Sequence, residues 1–179
     1  MLNTSNCGLI VIDIQGKLAH KVANSSELIA NTRTLILGCQ ALKLPILWLE
    51  QTPDKLGITV KELAQLMPFE QPIAKTTFSG CANHTFMQRL RHTNKCHWLI
   101  CGIEAHICVY QTASDLLALN FNVVLIDDAI SSRSASHKAL ALQKLQHNGA
   151  QLSNIEMCLY ELLADSLHPE FRTILQLIK

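Results

Sequence analysis

Four side chains that can take part in chemistry each follow or end a short apolar run of the sequence. Asp13 follows "LIVI", Glu50 ends "PILWLE" and Lys75 lies near the end of "QPIAKT". Cys108 comes six residues after Gly102, which ends the run "HWLICG". A thiol attacks as its thiolate, and a carboxylate can accept the thiol proton. These residue types therefore suit a nucleophilic cysteine, provided that the fold brings them together.

The position of Cys108, after a strand and at the start of a helix-like segment, bears on its reactivity. A helix N-terminus and the Lys75 ammonium would both favour the thiolate over the neutral thiol, whose ordinary pKa is about 8.5. The first N–H groups of a helix also lack helical partners, so they can stabilise an oxyanion. We therefore expect an activated thiol beside a set of backbone donors.

The elements that would position these residues alternate between strand and helix patterns. Ser25 or Ser26 is predicted to cap the first helix, Gly149 to end a later one, and Ser153 with Glu156 to form a capping box. Apolar runs predict strands over residues 7–15, 45–50, 71–76, 97–102, 121–129 and 150–153. Helical spacing predicts helices near residues 28–42, 59–66, 82–92, 105–119, 134–148, 153–163 and 168–179.

This alternation predicts an α/β fold with three layers, α/β/α, around a six-stranded parallel sheet. We expect one domain that spans residues 1–179. In parallel sheets of this kind, ligands bind beyond the carboxyl ends of the strands. Asp13, Glu50, Lys75 and Cys108 should therefore lie along one edge of the sheet.

Composition narrows the class of protein. The 179 residues are 49% hydrophobic with a formal charge of +1, which predicts a globular chain without a nucleic-acid footprint. No apolar run reaches about 18 residues, so we expect no membrane span, and "MLNTSNCG" leaves no room for a signal peptide. Seven scattered cysteines favour a reducing cytoplasm over a disulfide framework. Cys96, His97 and Cys101 cluster, but buried cysteines are a better interpretation than a zinc site, because alternate strand residues face opposite ways.

Several segments, taken in order and spacing, resemble one known family. "LIVIDIQ", "AKTTFS", "GIEAHICV" and "DDAISSRS" are similar to the motifs of the isochorismatase-like cysteine hydrolases. Within that superfamily, "LEQTPDKLGIT" and the C-terminal sequence from "SSRSASHK" onward most resemble the isochorismatase-domain-containing proteins of the MAR1 type. The resemblance covers nearly the whole chain and implies the isochorismatase-like hydrolase fold, which is Rossmann-like.

The resemblance implies a catalytic triad of Asp13, Lys75 and Cys108. Cys108 would be the nucleophile, Asp13 the general base and later the acid, and Lys75 the residue that orients Asp13. It also implies a cis peptide bond between Ile103 and Glu104, although such a bond costs roughly 3 kcal/mol. The backbone N–H groups of Glu104 and Cys108 would form the oxyanion hole. The implied reaction is acyl transfer through a thioester, with cleavage of an amide-like C–N bond in a small substrate.

The sequence also departs from related enzymes. Ala105 stands where relatives usually carry threonine, which leaves substrate recognition open. The Asp/His metal motif of the nicotinamidase branch is absent, so we expect no metal and no cofactor. Glu50, Gln51, Phe78 and Ala105 are assigned to the substrate pocket, although Glu50 could equally pair with a surface cation. Relatives form dimers, tetramers or octamers, so a homo-oligomer is expected, with the apolar C-terminal helices as candidate contacts.

Other polar residues are expected to have structural roles. His106 is expected to face an interface, and Asp127 and Asp128 to make hydrogen bonds rather than to catalyse. Arg133 is expected to stabilise its loop or a subunit contact. Two further functions stay open beside hydrolysis. One is a non-catalytic oligomeric binding or scaffold protein that retains the site, and the other is a thiol redox sensor, for which Cys101 would be a poor partner of Cys108.

Overall fold

Six parallel strands form the centre of the protein in a computed structural model that describes residues 2–179. The strands are β1 (Cys7–Ile12), β2 (Ile46–Gln51), β3 (Ile73–Lys75), β4 (His97–Ile103), β5 (Asn122–Ser131) and β6 (Gln151–Ser153). Their order across the sheet is β3-β2-β1-β4-β5-β6, and all five neighbouring pairs are parallel. The predicted six-stranded parallel sheet is confirmed.

Nine α-helices connect and cover the strands in the described part of the chain, together with a 3₁₀ turn at Gly80–Ala82 and a π-helical turn at Ala105–Val109. They are α1 (Gly16–Ala19), α2 (Ser25–Ala41), α3 (Pro53–Leu56), α4 (Lys61–Ala64), α5 (His84–His92), α6 (Tyr110–Ala118), α7 (Ala135–His147), α8 (Ile155–Leu163) and α9 (Phe171–Ile178). No helix among residues 2–179 combines the length and the apolar character that crossing a membrane requires.

The sheet is buried on both faces because helices pack against each of them. Along β1, Leu9 and Val11 belong to the cluster under α2, α8 and α9, whereas Ile10 and Ile12 belong to the cluster under α5, α6 and α7. This alternation follows from the two-residue period of a strand. Helix α8 packs into the core of its own chain, with Leu159 against Gly38 of α2, so its apolar face is already covered.

Two predicted helix caps are wrong. The residue before α2 is Asn24, which has a left-handed conformation (φ 52°) and precedes Ser25 as the first helical residue. Helix α8 is capped by Asn154, whose side chain accepts the Met157 N–H at 2.8 Å. Ser153 cannot serve there because it is still paired in β6, opposite Ile126. The last helix likewise begins at 171, not at 168.

Strand β5 runs two residues beyond its predicted end because its pairing with β4 shifts register between Ile100 and Gly102. Asp127 and Asp128 therefore lie inside the strand. Asp128 accepts the Ile155 N–H at 3.1 Å and so joins β5 to the start of α8. Asp127 pairs with Lys138 of α7 at 3.0 Å. Both aspartates have the structural contacts that the sequence predicted.

Candidate active site

Asp13 and Lys75 form a buried ion pair at the carboxyl edge of the sheet. Asp13 follows β1 in a left-handed conformation (φ 55°), and its N–H donates to Leu49 O at 3.1 Å. Lys75 is the last residue of β3. Its Nζ lies 2.7 Å from Asp13 Oδ2, and the two side chains are 0% and 6% exposed. Two residues 62 positions apart in sequence thus meet because β1, β2 and β3 end at the same edge.

The Lys75 ammonium has further acceptors that fix its position. Gln51 Oε1 accepts from it at 2.6 Å, and the carbonyl oxygens of Thr77 and Phe78 lie at 3.3 and 3.2 Å. Gln51 Nε2 donates to Thr76 O at 2.9 Å, which directs the other end of the amide toward Lys75. Together with Asp13, these acceptors provide a partner for each of the three N–H groups of the ammonium.

Gln51 also connects the ion pair with the candidate nucleophile. Cys108 Sγ lies 4.0 Å from Gln51 Oε1, so the sulfur sits beside the amide that holds Lys75. The Cys108 side chain is almost covered, since the residue is 7% exposed. The sequence placed Gln51 in the substrate pocket, whereas the structure gives its side chain to Lys75, Thr76 and Cys108.

Gln15 holds the backbone of Gln51, and the sequence did not identify it. It is buried, its Oε1 accepts the Gln51 N–H at 2.6 Å, and its Nε2 donates to Gln51 O at 3.2 Å and to Gly57 O at 2.6 Å. These bonds tie the end of β2 to the loop that follows it. A glutamine after an apolar strand carries no periodic signal, so only the tertiary contacts disclose this position.

Cys108 lies in a π-helical turn between β4 and α6. The Glu104 carbonyl accepts the N–H groups of Ile107 at 3.0 Å and Val109 at 3.4 Å, and the Ala105 carbonyl accepts the Tyr110 N–H. The sequence predicted one continuous helix over residues 105–119. π-helical turns are frequent at functional sites, because the extra residue redirects side chains.

The peptide bond between Ile103 and Glu104 is trans, as are all peptide bonds among residues 2–179, so the predicted cis bond is wrong. The change of direction after β4 is taken up by rotation about single bonds instead. Gly102 adopts φ +142°, where a Cβ would come within 2.2 Å of Ile12 O, and Glu104 adopts φ −31° and ψ 107°. Because a trans bond is favoured by roughly 3 kcal/mol, a turn that these torsions can make does not need the cis form.

The Cys108 thiol is less acidic than its position in the sequence suggested. The pKa of this thiol is raised to about 12, chiefly by burial and then by the Asp13 charge, while the Lys75 ammonium acts to lower it. Burial also raises the pKa of the Asp13 carboxyl above its ordinary value of 3.8, although Lys75 acts in the opposite direction. The expectation of an activated thiol is therefore wrong for the resting site. Burial and the nearby carboxylate raise the pKa of the thiol by more than the ammonium lowers it. The proton belongs to the sulfur, beside a carboxyl of raised pKa.

A polar network from the loop that follows β5 fixes the start of the turn. Ser132 Oγ accepts the Ala105 N–H at 2.9 Å. Glu104 Oε1 accepts from Arg133 Nε at 2.9 Å, and Glu104 Oε2 lies 3.3 Å from His106 Nδ1. Arg133 thus links its own loop to the turn before Cys108. Burial lowers the pKa of His106, with the charge of Glu104 opposing that effect.

The remaining pocket residues have different surroundings. Glu50 Oε1 accepts from the N–H and the hydroxyl of Thr59 at 2.7 and 2.8 Å, rather than from a surface cation. The Phe78 side chain is 54% exposed, and Ala105 is fully buried. A cleft of about 270 Å³ opens at the same sheet edge, and its lining residues are Thr52, Pro53, Asp54, Ala74, Lys75, Thr76 and Asn83.

The cysteines are all free thiols, and they do not gather with other ligands. Cys96 is exposed with its Sγ 3.3 Å from His97 Nδ1, whereas Cys101 is buried with its Sγ 3.7 Å from Ile10 O. Within residues 2–179, no three His, Cys, Asp or Glu side chains are grouped so that they could hold a metal ion.

Replacement of Gln51 by leucine should lower the stability of the folded protein. The variant leaves Lys75 without its 2.6 Å acceptor and Thr76 O without its donor, in a buried setting. Such losses cost about 1–3 kcal/mol each, so we expect the free energy of unfolding in urea to fall by about that amount or more. Gln143→Leu, on the exposed face of α7, is the matched control and should change the free energy of unfolding by less than about 0.5 kcal/mol. Equal stabilities of the two variants would contradict the role assigned to Gln51.

Comparisons with known proteins agree with this architecture. The family model for the isochorismatase domain matches residues 7–157. Human isochorismatase domain-containing protein 2 is 34% identical over 172 residues, which cover 96% of this chain and 82% of that protein. Isochorismatase family protein 1A of Dictyostelium discoideum is 31% identical over 177 residues, which cover 94% of this chain and 84% of that protein.

Solved structures show the same fold. The MAR1 ribonuclease of Caenorhabditis elegans superposes with a TM-score of 0.93 at 35% identity, over 99% of this chain and 91% of that one. YcaC of Escherichia coli, described as an octameric hydrolase of unknown specificity, superposes with a TM-score of 0.89 over 98% of this chain and 94% of that one. At 21% identity the second likeness concerns the fold alone. The sheet, its helical layers and these matches together establish that the chain belongs to the isochorismatase family of hydrolases.

Proposed function

We propose that this protein is a cysteine hydrolase that cleaves an amide-like C–N bond in a small substrate through a thioester on Cys108. The single observation that carries the proposal is the buried Asp13–Lys75 pair at 2.7 Å, set beside the Cys108 sulfur. Burying two charges is costly, and a pair of apolar residues would often be more stable. A buried pair next to a thiol therefore supports a chemical role.

In the first half of the reaction, the thiol proton of Cys108 passes to Asp13 as the sulfur attacks the substrate carbonyl carbon. The carbonyl π electrons move to oxygen, and the N–H groups of Glu104 and Cys108 would bind the resulting oxyanion. When the oxyanion collapses, the C–N bond breaks and the nitrogen takes the proton back from Asp13. An amine or ammonia leaves, and the acyl group remains on sulfur.

In the second half, water attacks the thioester carbon and gives its proton to Asp13. Collapse of this second oxyanion breaks the C–S bond, and Asp13 returns the proton to the sulfur. The product is a carboxylic acid, and the protein regains its starting state. Each transfer uses the same carboxyl, so the proposal needs no metal or cofactor.

The two oxygens of the Asp13 carboxyl suit its proposed roles, first as a base and then as an acid. Oδ2 is bound to Lys75, whereas Oδ1 is fully buried and has no hydrogen-bond partner among residues 2–179. An unpaired buried oxygen is costly, so it is expected to serve a proton or a substrate group. We assign Oδ1 as the atom that exchanges the proton and Lys75 as the residue that holds Asp13 in place. Burial has the largest effect on the pKa of Asp13 and raises it, while the nearby Cys108 thiol acts to lower it, which agrees with this assignment.

The pH profile of hydrolysis tests the role of Asp13. Because Asp13 must be ionised to accept the thiol proton, kcat/KM should rise with pH through the pKa of this carboxyl. Burial raises that pKa above 3.8, so the acid limb should lie above the ordinary range of an aspartate. In Asp13→Asn the limb should disappear and kcat should fall by about 100-fold or more. An unchanged profile in Asp13→Asn would remove Asp13 from the mechanism.

The substrate search should use small amides, imides and ureido compounds, with release of ammonia or amine as the signal. RNA belongs in the same search, because the related Caenorhabditis elegans protein is named a ribonuclease. The formal charge of +1 offers little attraction for phosphate groups, and Lys75 is engaged in the ion pair. We therefore expect hydrolysis among the small amides and no cleavage of RNA.

A non-catalytic oligomeric binding protein is the second candidate, and the near-complete cover of Cys108 favours it. The Escherichia coli protein of the same fold is described as octameric, so we also propose a homo-oligomer here. We propose the cytoplasm as its location, because seven free thiols would persist there. Sedimentation of the wild type and Cys108→Ala would show whether assembly is independent of the thiol. An assembled protein that hydrolyses none of the screened amides would support this second function.

A further inference from the structure

The side-chain oxygen of Gln51 adjoins both the Lys75 ammonium and the Cys108 sulfur. Gln51 Oε1 accepts from Lys75 Nζ at 2.6 Å and lies 4.0 Å from Cys108 Sγ. Gln51 and Lys75 are paired in the sheet. Leu49 and Ile73, two residues earlier in β2 and β3, pack in the apolar cluster that contains Cys108. Because strand side chains alternate between faces, the ammonium, the amide and the sulfur belong to the same side of the sheet.

The orientation of this amide is fixed by its other hydrogen bonds. Gln51 Nε2 donates to Thr76 O at 2.9 Å and to Thr52 Oγ1 at 3.3 Å, and Gln15 Oε1 accepts the Gln51 N–H at 2.6 Å. A flipped amide would turn its NH₂ group toward the Lys75 ammonium and its oxygen toward the Thr76 carbonyl, and neither contact can be a hydrogen bond. Oε1 is therefore held toward Lys75.

The Lys75 ammonium has no N–H group left for the sulfur. It has three N–H groups. Its acceptors are Asp13 Oδ2 at 2.7 Å, Gln51 Oε1 at 2.6 Å and two backbone carbonyl oxygens at 3.2 and 3.3 Å. Among residues 2–179, the one hydrogen-bond contact of Cys108 Sγ is with Gln51 Oε1. Burial and then the Asp13 charge raise the pKa of the Cys108 thiol, and the ammonium offsets them only in part.

We propose that Gln51 is a positioning residue that keeps the Lys75 ammonium on Asp13 and away from Cys108, so that the resting thiol stays neutral. This inference rests on the proposed hydrolase function, since it concerns the regulation of its nucleophile. Oxidants and alkylating agents react with the thiolate, so a neutral thiol resists them while no substrate is bound. Gln51 thus protects the sulfur without taking part in the proton transfers.

Alkylation by iodoacetamide measures this effect without any turnover. The uncharged reagent forms an S–C bond as iodide leaves, and the thiol loses its proton. Rates at each cysteine are followed by mass spectrometry between about pH 7 and 10. The exposed Cys96 is the reference for the reagent. Cys101 is fully buried in β4 and reacts only when the fold opens, so its rate is subtracted from that of Cys108.

Gln51→Leu should make the corrected alkylation of Cys108 roughly tenfold faster at each pH. The variant frees one N–H of the ammonium to donate to the thiolate, and hydrogen bonds to charged groups are the stronger ones. Gln143→Leu, on the exposed face of α7, is the matched control and should leave the rate unchanged. An unchanged corrected rate in Gln51→Leu would overturn the proposal.

Gln51→Glu should have the opposite effect. It keeps an oxygen for Lys75 and adds a negative charge beside the sulfur, so alkylation of Cys108 should be roughly tenfold slower than in the wild type. A residue that only supported the fold would give faster alkylation in both variants. A rate in Gln51→Glu equal to that of the wild type, or above it, contradicts the assignment.

The effect of Gln51 must also depend on the ammonium. In the Lys75→Met background, the further change Gln51→Leu should alter the corrected rate at Cys108 by less than about twofold, because no ammonium remains to be released. A tenfold rise in that background would show that Gln51 acts on the sulfur without Lys75, against the proposal.

Failure of this assignment is distinguishable from failure of the hydrolase. If alkylation follows these expectations but none of the screened amides is cleaved, the hydrolase proposal is in doubt and the assignment of Gln51 stands. If an amide is cleaved through Cys108 while the Gln51 variants are alkylated at the wild-type rate, the hydrolase stands and the assignment of Gln51 fails.

Discussion

Replacement of Cys108 by alanine is expected to lower kcat for amide hydrolysis by about 10,000-fold or more, while the protein stays folded. The reason is that no covalent acyl intermediate can form without the sulfur, and losses of this order follow removal of a nucleophile in related chemistry. The substitution removes one atom from a covered site, and Cys108 makes no hydrogen bond shorter than 4.0 Å in the described chain. The measurement is ammonia release, with far-UV circular dichroism as the check on folding.

The matched control for that loss is Cys96→Ala, because Cys96 is an exposed free thiol just before β4, whereas Cys108 lies in the turn after that strand. It should hydrolyse the same amide at the wild-type rate. Quenching the wild type in acid during turnover should trap a mass increase on Cys108, and Cys108→Ala should show none. Normal turnover by Cys108→Ala would refute the thioester mechanism and leave the scaffold function as the better candidate.

Replacement of Lys75 by methionine should have the largest effect on stability. The variant leaves the Asp13 carboxylate buried without its 2.7 Å partner, and it also leaves Gln51 Oε1 without a donor. Removing one member of a buried ion pair costs about 3–5 kcal/mol, mostly because the other charge stays desolvated. We expect the free energy of unfolding in urea to fall by that amount, with loss of hydrolysis.

Lys138→Met provides the contrast, because Lys138 pairs with Asp127 at 3.0 Å on the surface, where the side chains are 26% and 51% exposed. Surface pairs contribute about 0–1 kcal/mol, so this control should be nearly neutral. The double variant Asp13→Asn with Lys75→Met should recover part of the lost stability, since no buried charge remains. If Lys75→Met and Lys138→Met lose equal stability, the buried pair is not the strong interaction that its geometry indicates.

The sequence alone determined the fold and the residues that the fold brings together. Apolar runs such as "GLIVI" alternate with helical spacing, and local periodicity reports which segments are strands buried on both faces. The order of elements then sets a parallel sheet, and parallel strands end at one edge, so Asp13, Lys75 and Cys108 were predictable as neighbours. The resemblance to the isochorismatase-like hydrolases implied the catalytic roles of these residues, and the substitutions described above test those roles.

Only the tertiary structure decided the state of those residues and the contacts that hold them. The Cys108 thiol is less acidic than its place before a helix suggested, because burial and the Asp13 charge act through space. Gln15, Gln51 and Glu50 acquire their partners from other segments of the chain. The Ile103–Glu104 bond is trans, and neighbouring torsions make the turn. Desolvation, charge and side-chain hydrogen bonds depend on which atoms surround a group in space. Residue type and periodic spacing do not contain that information, so these features lay beyond what the sequence could predict.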